Sequence, residues 1–120
     1  MPLRALRGAT TIDVDAVDHL TERMVELFAE LFERNAIDHD DVISIIFTAT
    51  DDIRCTFPAT AARTFGLGDV PLICARELDV DGATPLCVRV MLHLETERDR
   101  GELHHVYQHG AANLRDDLPK

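Results

Sequence analysis

Between Asp15 and Arg34 the apolar residues Val17, Leu20, Met24, Leu27 and Leu31 recur at intervals of three and four. That spacing lines one side of an α-helix. It predicts a helix over this stretch, capped by Asp13 or Asp15, favoured at its positive end by early acidic residues, and stopped at Asn35. On either side the period falls to two. Leu3 to Ala9 reads as a strand with Leu3, Ala5, Arg7 and Ala9 on one face, followed by a polar segment from Thr10 to Asp15. Asp38 to Asp41 reads as a turn. The run Val42 to Thr50 (VISIIFTAT) is β-branched and almost continuously apolar, the pattern of a strand covered on both faces. Phe57-Pro58 opens a short helix that Gly66 ends. Val70 to Arg76 is a third strand, Asp81-Gly82 a turn, and Leu86 to Leu94 a fourth strand. Glu102 to Leu114 suits either a strand or a short helix. The order β-α-β-α-β-β predicts an α+β fold, a single domain of mixed sheet with helices on one side.

Composition changes this picture in a few respects. A chain of 120 residues, 46% hydrophobic and 28% charged, fits one globular domain, small enough that association between copies would enlarge its core. A formal net charge of −10 argues against nucleic acid as a partner. Any anionic ligand must then be held by local arginines against an unfavourable global field, screened over about 8 Å at physiological salt. Arg4 and Arg7 interrupt the first apolar stretch, so no signal-peptide core is expected. No run approaches the roughly 18 apolar residues of a membrane span. Cys55, Cys74 and Cys87 are odd in number and form no CxxC pair, which points to a reduced, cytoplasmic chain.

The fourth strand carries the most chemical information. Leu86, Val88, Val90, Leu92 and Leu94 share a face that must be core; Cys87, Arg89, Met91 and His93 share the other. An arginine flanked by Cys and Met is partly desolvated and requires an anionic partner, either a ligand or a structural carboxylate. A third reading is a stem that only covers apolar surface. Arg7, alongside Leu3 and Ala5, poses the same question, and Arg63 on the short helix adds a third cation. Arginine suits a polyanion because its planar fork binds carboxylates bidentately and keeps its charge. Glu77, just past the third strand, is either a hydrogen-bond acceptor for a ligand hydroxyl or a solvated strand-end carboxylate. Tyr107, the sole tyrosine, is either a carboxylate ligand or a structural donor. His104, His105 and His109 lack zinc spacing and read as a surface cluster. Cys74 has no neighbouring base to make it a nucleophile. Neither a P-loop nor a dinucleotide fingerprint is present.

Taken together, LRALRGATT, FPATAAR, CARELDV, CVRVM and HVYQHGAANLR resemble, in order and spacing across practically the whole chain, the monofunctional chorismate mutases of the AroH class. The resemblance implies a homotrimer, a trimeric pseudo-α/β-barrel with sheets around the threefold axis and active sites between subunits. It implies a Claisen rearrangement of chorismate to prephenate with no cofactor and no metal. Arg89 would stand by the ether oxygen of the breaking bond. Glu77, helped by Cys74, would accept the ring hydroxyl. Arg7 and Tyr107 would bind carboxylate, and Phe57, Ala59 and Leu72 would form an apolar wall. Arg63 from the short helix, with Leu114 and Arg115 from the tail, would complete the substrate site. Thr60 stands where relatives often carry lysine, so one cation fewer is expected at the cleft mouth. A tail ending soon after Leu118 is expected to weaken closure.

This implied reaction agrees with the residues. A unimolecular rearrangement needs no nucleophile, acid or base, only positioning of a dianion and stabilisation of charge growing on one oxygen. Two other readings stay open: a non-catalytic trimeric carboxylate-binding or regulatory protein on the same fold, and an enzyme of imine-deaminase type.

Overall fold

The computed structural model describes residues 1–112 and 114. Five strands form one mixed sheet: β1 (Leu3–Thr11), β2 (Val42–Ala49), β3 (Leu72–Arg76), β4 (Cys87–Glu95) and β5 (Val106–Tyr107). Their spatial order is β3-β2-β4-β1-β5. β4 runs antiparallel to both of its neighbours, β1 and β2, while β3 and β5 lie parallel to β2 and β1 at the two edges. Helix α1 (Val17–Asn35) connects β1 to β2, and α2 (Pro58–Thr64) connects β2 to β3. Parallel strands need such crossovers, whether adjacent like β2 and β3 or flanking β4 like β1 and β2, and both helices pack on the same face of the sheet.

The core lies between α1 and the sheet. Leu20, Met24, Leu27, Phe28 and Leu31 form the buried stripe of the helix. They meet Leu6, Ile45, Phe47, Val88, Val90 and Leu92, the alternate residues of β1, β2 and β4. The approach is close at Gly8, where a Cβ would stand 3.0 Å from Leu31 Cδ1 and 3.1 Å from Val90 Cγ2. α2 begins at Pro58 and ends before Gly66, whose φ of 105° only glycine adopts freely. Phe65 stacks on Phe28 and so joins the two helices.

Three sequence expectations change. Val17 is exposed, so the apolar stripe of α1 starts at Leu20. Neither Asp13 nor Asp15 caps α1; Ala16 takes that position without a side-chain bond. Both carboxylates find stronger donors elsewhere: Asp13 pairs with Arg23 at 2.8 Å, and Asp15 accepts the backbone N–H groups of Arg54 and Cys55. The helix ends at Asn35 as expected, and the left-handed residue that follows is Ala36 at φ 49°. Asn35 turns inward, donating to the carbonyls of Leu31 and His104 and accepting from His104 N–H. β2, finally, is covered on one face only. Ile46 of β2 and Ile73 of β3 are exposed, with Leu3 of β1, on the side away from the helices. The ambiguous tail resolves into the two-residue strand β5 followed by a single 3₁₀ turn, His109–Ala111. No helix among the described residues is long and apolar enough to cross a membrane.

Candidate active site

Strand register sets out the uncovered face as rows. One row crosses the sheet through Tyr107 (β5), Ala9 (β1), Arg89 (β4), Thr48 (β2) and Ala75 (β3). The next runs Arg7, Met91, Ile46 and Ile73. Period-two alternation turns these side chains away from the helices because Val88, Val90 and Leu92 turn toward them. Arg89, read from sequence as a cation stranded beside apolar neighbours, is thus at the centre of this face.

Glu77 reaches Arg89 from the end of β3. Its N–H bonds the carbonyl of Ala49, extending the β2–β3 pairing past the strand. Its carboxylate oxygen Oε2 stands 3.4 Å from Arg89 Nε. The same oxygen accepts a 2.5 Å hydrogen bond from Thr48 Oγ1. Arg89 Nε is sealed from solvent but makes no hydrogen bond to the described residues, so its contact with Glu77 is an ion pair without alignment. Cys87 lies behind it, fully buried. Burial pushes that thiol up, an effect the Arg89 guanidinium only partly offsets, so it stays neutral and supplies no counter-charge. Arg89, Arg7, Glu77, Thr48, Ile46, Met91 and His93 line a cleft of about 410 Å³. Arg7 forms no ion pair among the described residues, leaving its guanidinium available.

Other expected residues gather elsewhere. Phe57 and Cys74 line a second cleft, of about 750 Å³, at the β3 edge, with Ala49, Cys55, Pro58 and Arg76. Phe57 is 72% exposed. Leu72 and Cys74 lie on the helix side of β3 in register with Ile45 and Phe47, so within one chain Cys74 does not join Glu77. Ala59 packs into the core from α2, and Arg63 is exposed on the same helix. Arg76 is already paired with Asp51 at 2.7 Å, and its guanidinium holds that carboxyl below its ordinary range. Within one chain the expected residues therefore fall into two separate groups: cations with Glu77 on the bare face, and apolar residues at the edge.

Tyr107, at the β5 end of the Arg89 row, packs with Ala9, Cys87, Ala111 and Leu114. Arg115 lies outside the described residues. The tail bearing Tyr107 is fastened to α1 by Gln108 on Glu30 at 2.9 Å, His109 on Glu26 at 2.6 Å, and Asn35 on His104. The histidines are not the surface cluster expected. His105 is buried and accepts the Arg7 N–H at 2.9 Å, because the tail folds back along β1. Among the described residues no three His, Cys, Asp or Glu side chains gather as metal ligands.

Two residues escaped the sequence reading. Thr48 was hidden in the apolar run of β2, its only signal being a hydroxyl two places from Ile46 on the bare face. Asp15, read as a cap, clamps the loop leading to Phe57. The carboxyl of Asp15 is held below its ordinary range, first by the Cys55 thiol and then by the backbone N–H groups of Arg54 and Cys55.

Residues 3–118 match the family described as chorismate mutase type I. The chain is 34% identical over 119 residues to the chorismate mutase AroH of Bacillus subtilis (strain 168), covering 98% of this chain and 94% of that protein. It is 37% identical over 117 residues to the chorismate mutase AroH of Thermus thermophilus, covering 97% and 96% respectively. A solved structure, the chorismate mutase from Clostridium thermocellum, is similar with a TM-score of 0.87 and 42% sequence identity over 90% of this chain and 96% of that one.

Proposed function

The chain belongs to the chorismate mutase type I family, and from that premise we propose how its residues carry the reaction and where the complete site lies. The protein is an isomerase of aromatic amino acid biosynthesis that rearranges chorismate to prephenate. The substrate is a dianion, and the barrier is crossed when one carbon–oxygen bond lengthens while a carbon–carbon bond forms. Arg7 and Tyr107 hold carboxylate, with Leu114 packed in the same cluster as Tyr107, and Arg115 adds a further cation for the substrate. Arg89 lies under the ether oxygen and stabilises the negative charge that builds there. A guanidinium already partly desolvated, on a side chain rooted in a strand, does this at little reorganisation cost. Glu77 accepts the ring hydroxyl and keeps the molecule in its compact reactive conformer.

We further propose a homotrimer in which the bare sheet face is covered by neighbouring copies. Exposed Ile46 and Ile73, direct cross-strand partners, form an apolar patch that a single chain leaves in water, and Leu3 is exposed farther along the same face. Each site would join the Arg89 half of one subunit to the Phe57, Ala59, Arg63, Leu72 and Cys74 half of the next. Thr60, on α2 near Arg63, brings no charge to that mouth, so the attraction of the dianion rests on the arginines.

The observation that carries the reading is Arg89 Nε, sealed from solvent, 3.4 Å from Glu77 and without a hydrogen bond to the described residues. Purified protein mixed with chorismate should show saturable loss of its ultraviolet absorbance with matching prephenate formation. No turnover at high protein concentration would overturn it.

A further inference from the structure

The carboxylate assigned to the ring hydroxyl is itself held by another residue. Thr48 of β2 is the direct cross-strand partner of Arg89 of β4. Its Oγ1 donates to Glu77 Oε2 at 2.5 Å, and that oxygen also stands 3.4 Å from Arg89 Nε. Oε1 takes part in neither contact. A glutamate free to turn beside an arginine tends toward a two-bond fork, which would consume the guanidinium donors that a reacting oxygen needs. Here the fork is absent: the ion pair is unaligned, and the short hydrogen bond comes from the hydroxyl.

We propose that Thr48 is a positioning residue for the mutase reaction, fixing Glu77 by Oε2 so that Oε1 faces the substrate hydroxyl and Arg89 stays open to the ether oxygen. The strand makes this possible in two ways. Pairing fixes the Thr48 backbone against that of Arg89, and β-branching stiffens χ1 so that Oγ1 keeps its direction. Thr50, two residues on, cannot substitute, since its hydroxyl is engaged by Asp52 at 2.5 Å. Cys74, the residue expected to help Glu77, lies in the other half-site of its own chain. Thr48 is therefore the one side-chain hydroxyl on the described residues that bonds the Glu77 carboxylate.

This inference rests on the mutase reading, and its test separates the two. Chorismate turnover is measured for wild type, Thr48→Val, Thr48→Ala, Thr48→Ser, Glu77→Ala and the double variant Thr48→Val/Glu77→Ala, with thermal unfolding of each. Thr48→Val, nearly isosteric but without a donor, should lose about tenfold to a hundredfold in kcat/KM, as expected for a lost hydrogen bond to a charged group. Thr48→Ala should do the same, so either variant suffices if the other folds poorly. Thr48→Ser should stay within about threefold of wild type. In the Glu77→Ala background the Thr48→Val change should cost almost nothing, because the hydroxyl acts through Glu77. An equal loss in that background, or near-wild-type turnover of folded Thr48→Val, would overturn the proposal. Crystal structures of wild type and Thr48→Val give a readout independent of turnover. The Glu77 carboxylate should swing into a two-bond pair with Arg89 in the variant; an unmoved carboxylate would also overturn it. A wild-type protein without turnover would refute the mutase reading, while the crystal comparison would still decide whether Thr48 holds Glu77.

Discussion

The two faces of the sheet are woven from the same strands but spend their side chains differently. Toward α1, Leu6, Ile45, Phe47, Val88, Val90 and Leu92 are fully or almost fully buried and make a purely apolar core. Away from it, one residue along each strand, stand Arg7, Arg89, Thr48, Ile46, Met91 and Ile73, half-buried or exposed. Beneath α1 the covered face closes within one chain and holds none of the proposed cations; only its β3 edge, with Leu72 and Cys74, borders the proposed site. The bare face gives the single chain little stability, yet it holds the cations, the Glu77 contact and the exposed Ile46 and Ile73. Stability and function are thereby separated by a single step along the strand. A substitution on one face should therefore leave the other's property nearly intact.

The largest effect that tests this separation is in stability. Phe47→Ala, which empties the space beside Phe28, should destabilise the fold by about 3–5 kcal/mol, read as a lower midpoint in denaturant unfolding. The bare face should respond in the opposite sense. Arg89→Lys keeps a charge but loses the planar fork, and should lower kcat/KM at least about a hundredfold, the ~3–4 kcal/mol scale of a lost oxyanion donor. Its unfolding midpoint should stay close to wild type. Near-normal turnover, or collapse of the fold, would blur the division between the faces.

The smallest effect concerns the loop that leads to Phe57, between the two proposed half-sites. Asp15, whose carboxyl titrates below its ordinary value in the fold, stabilises the folded chain above its unfolded pKa of about 4, and the contribution disappears as pH falls through the lower folded value. The difference in melting temperature between wild type and Asp15→Asn should therefore narrow on acidification from about pH 5 to 3. A constant difference would show that the Asp15 clamp on Arg54 and Cys55 does not depend on its charge.

Much of this architecture is legible in the sequence because local periodicity reports it directly. The stripe from Leu20 to Leu31 and the alternation around Arg89 are intrinsic to helix and strand geometry. Pro58 and Gly66 mark the ends of α2 through their own backbone restrictions. What periodicity cannot report is which partner a polar group finds. Asp15 next to a helix start satisfies every local rule for a cap, yet donors 39 and 40 residues away claim its carboxylate. Thr48 fits its strand by β-branching alone, and its value appears only when Glu77 arrives from 29 residues on. The continuous apolar run of β2 was read as doubly covered, whereas one chain supplies only one cover. The residues of the implied site were legible by resemblance. Their division between a bare face and a distant edge was not, because it depends on register and crossovers rather than on spacing.

That division is tested most directly by mixing two inactive variants. Arg89→Ala removes the cation half, and Phe57→Asp sets a negative charge in the exposed apolar wall against a dianionic substrate. Each alone should be nearly silent. Unfolded together at equal amounts and refolded, they should recover about a quarter of wild-type activity, since in a cyclic assembly that fraction of interfaces joins two intact halves. Activity no greater than that of the separate variants would place both halves in one chain and contradict the account.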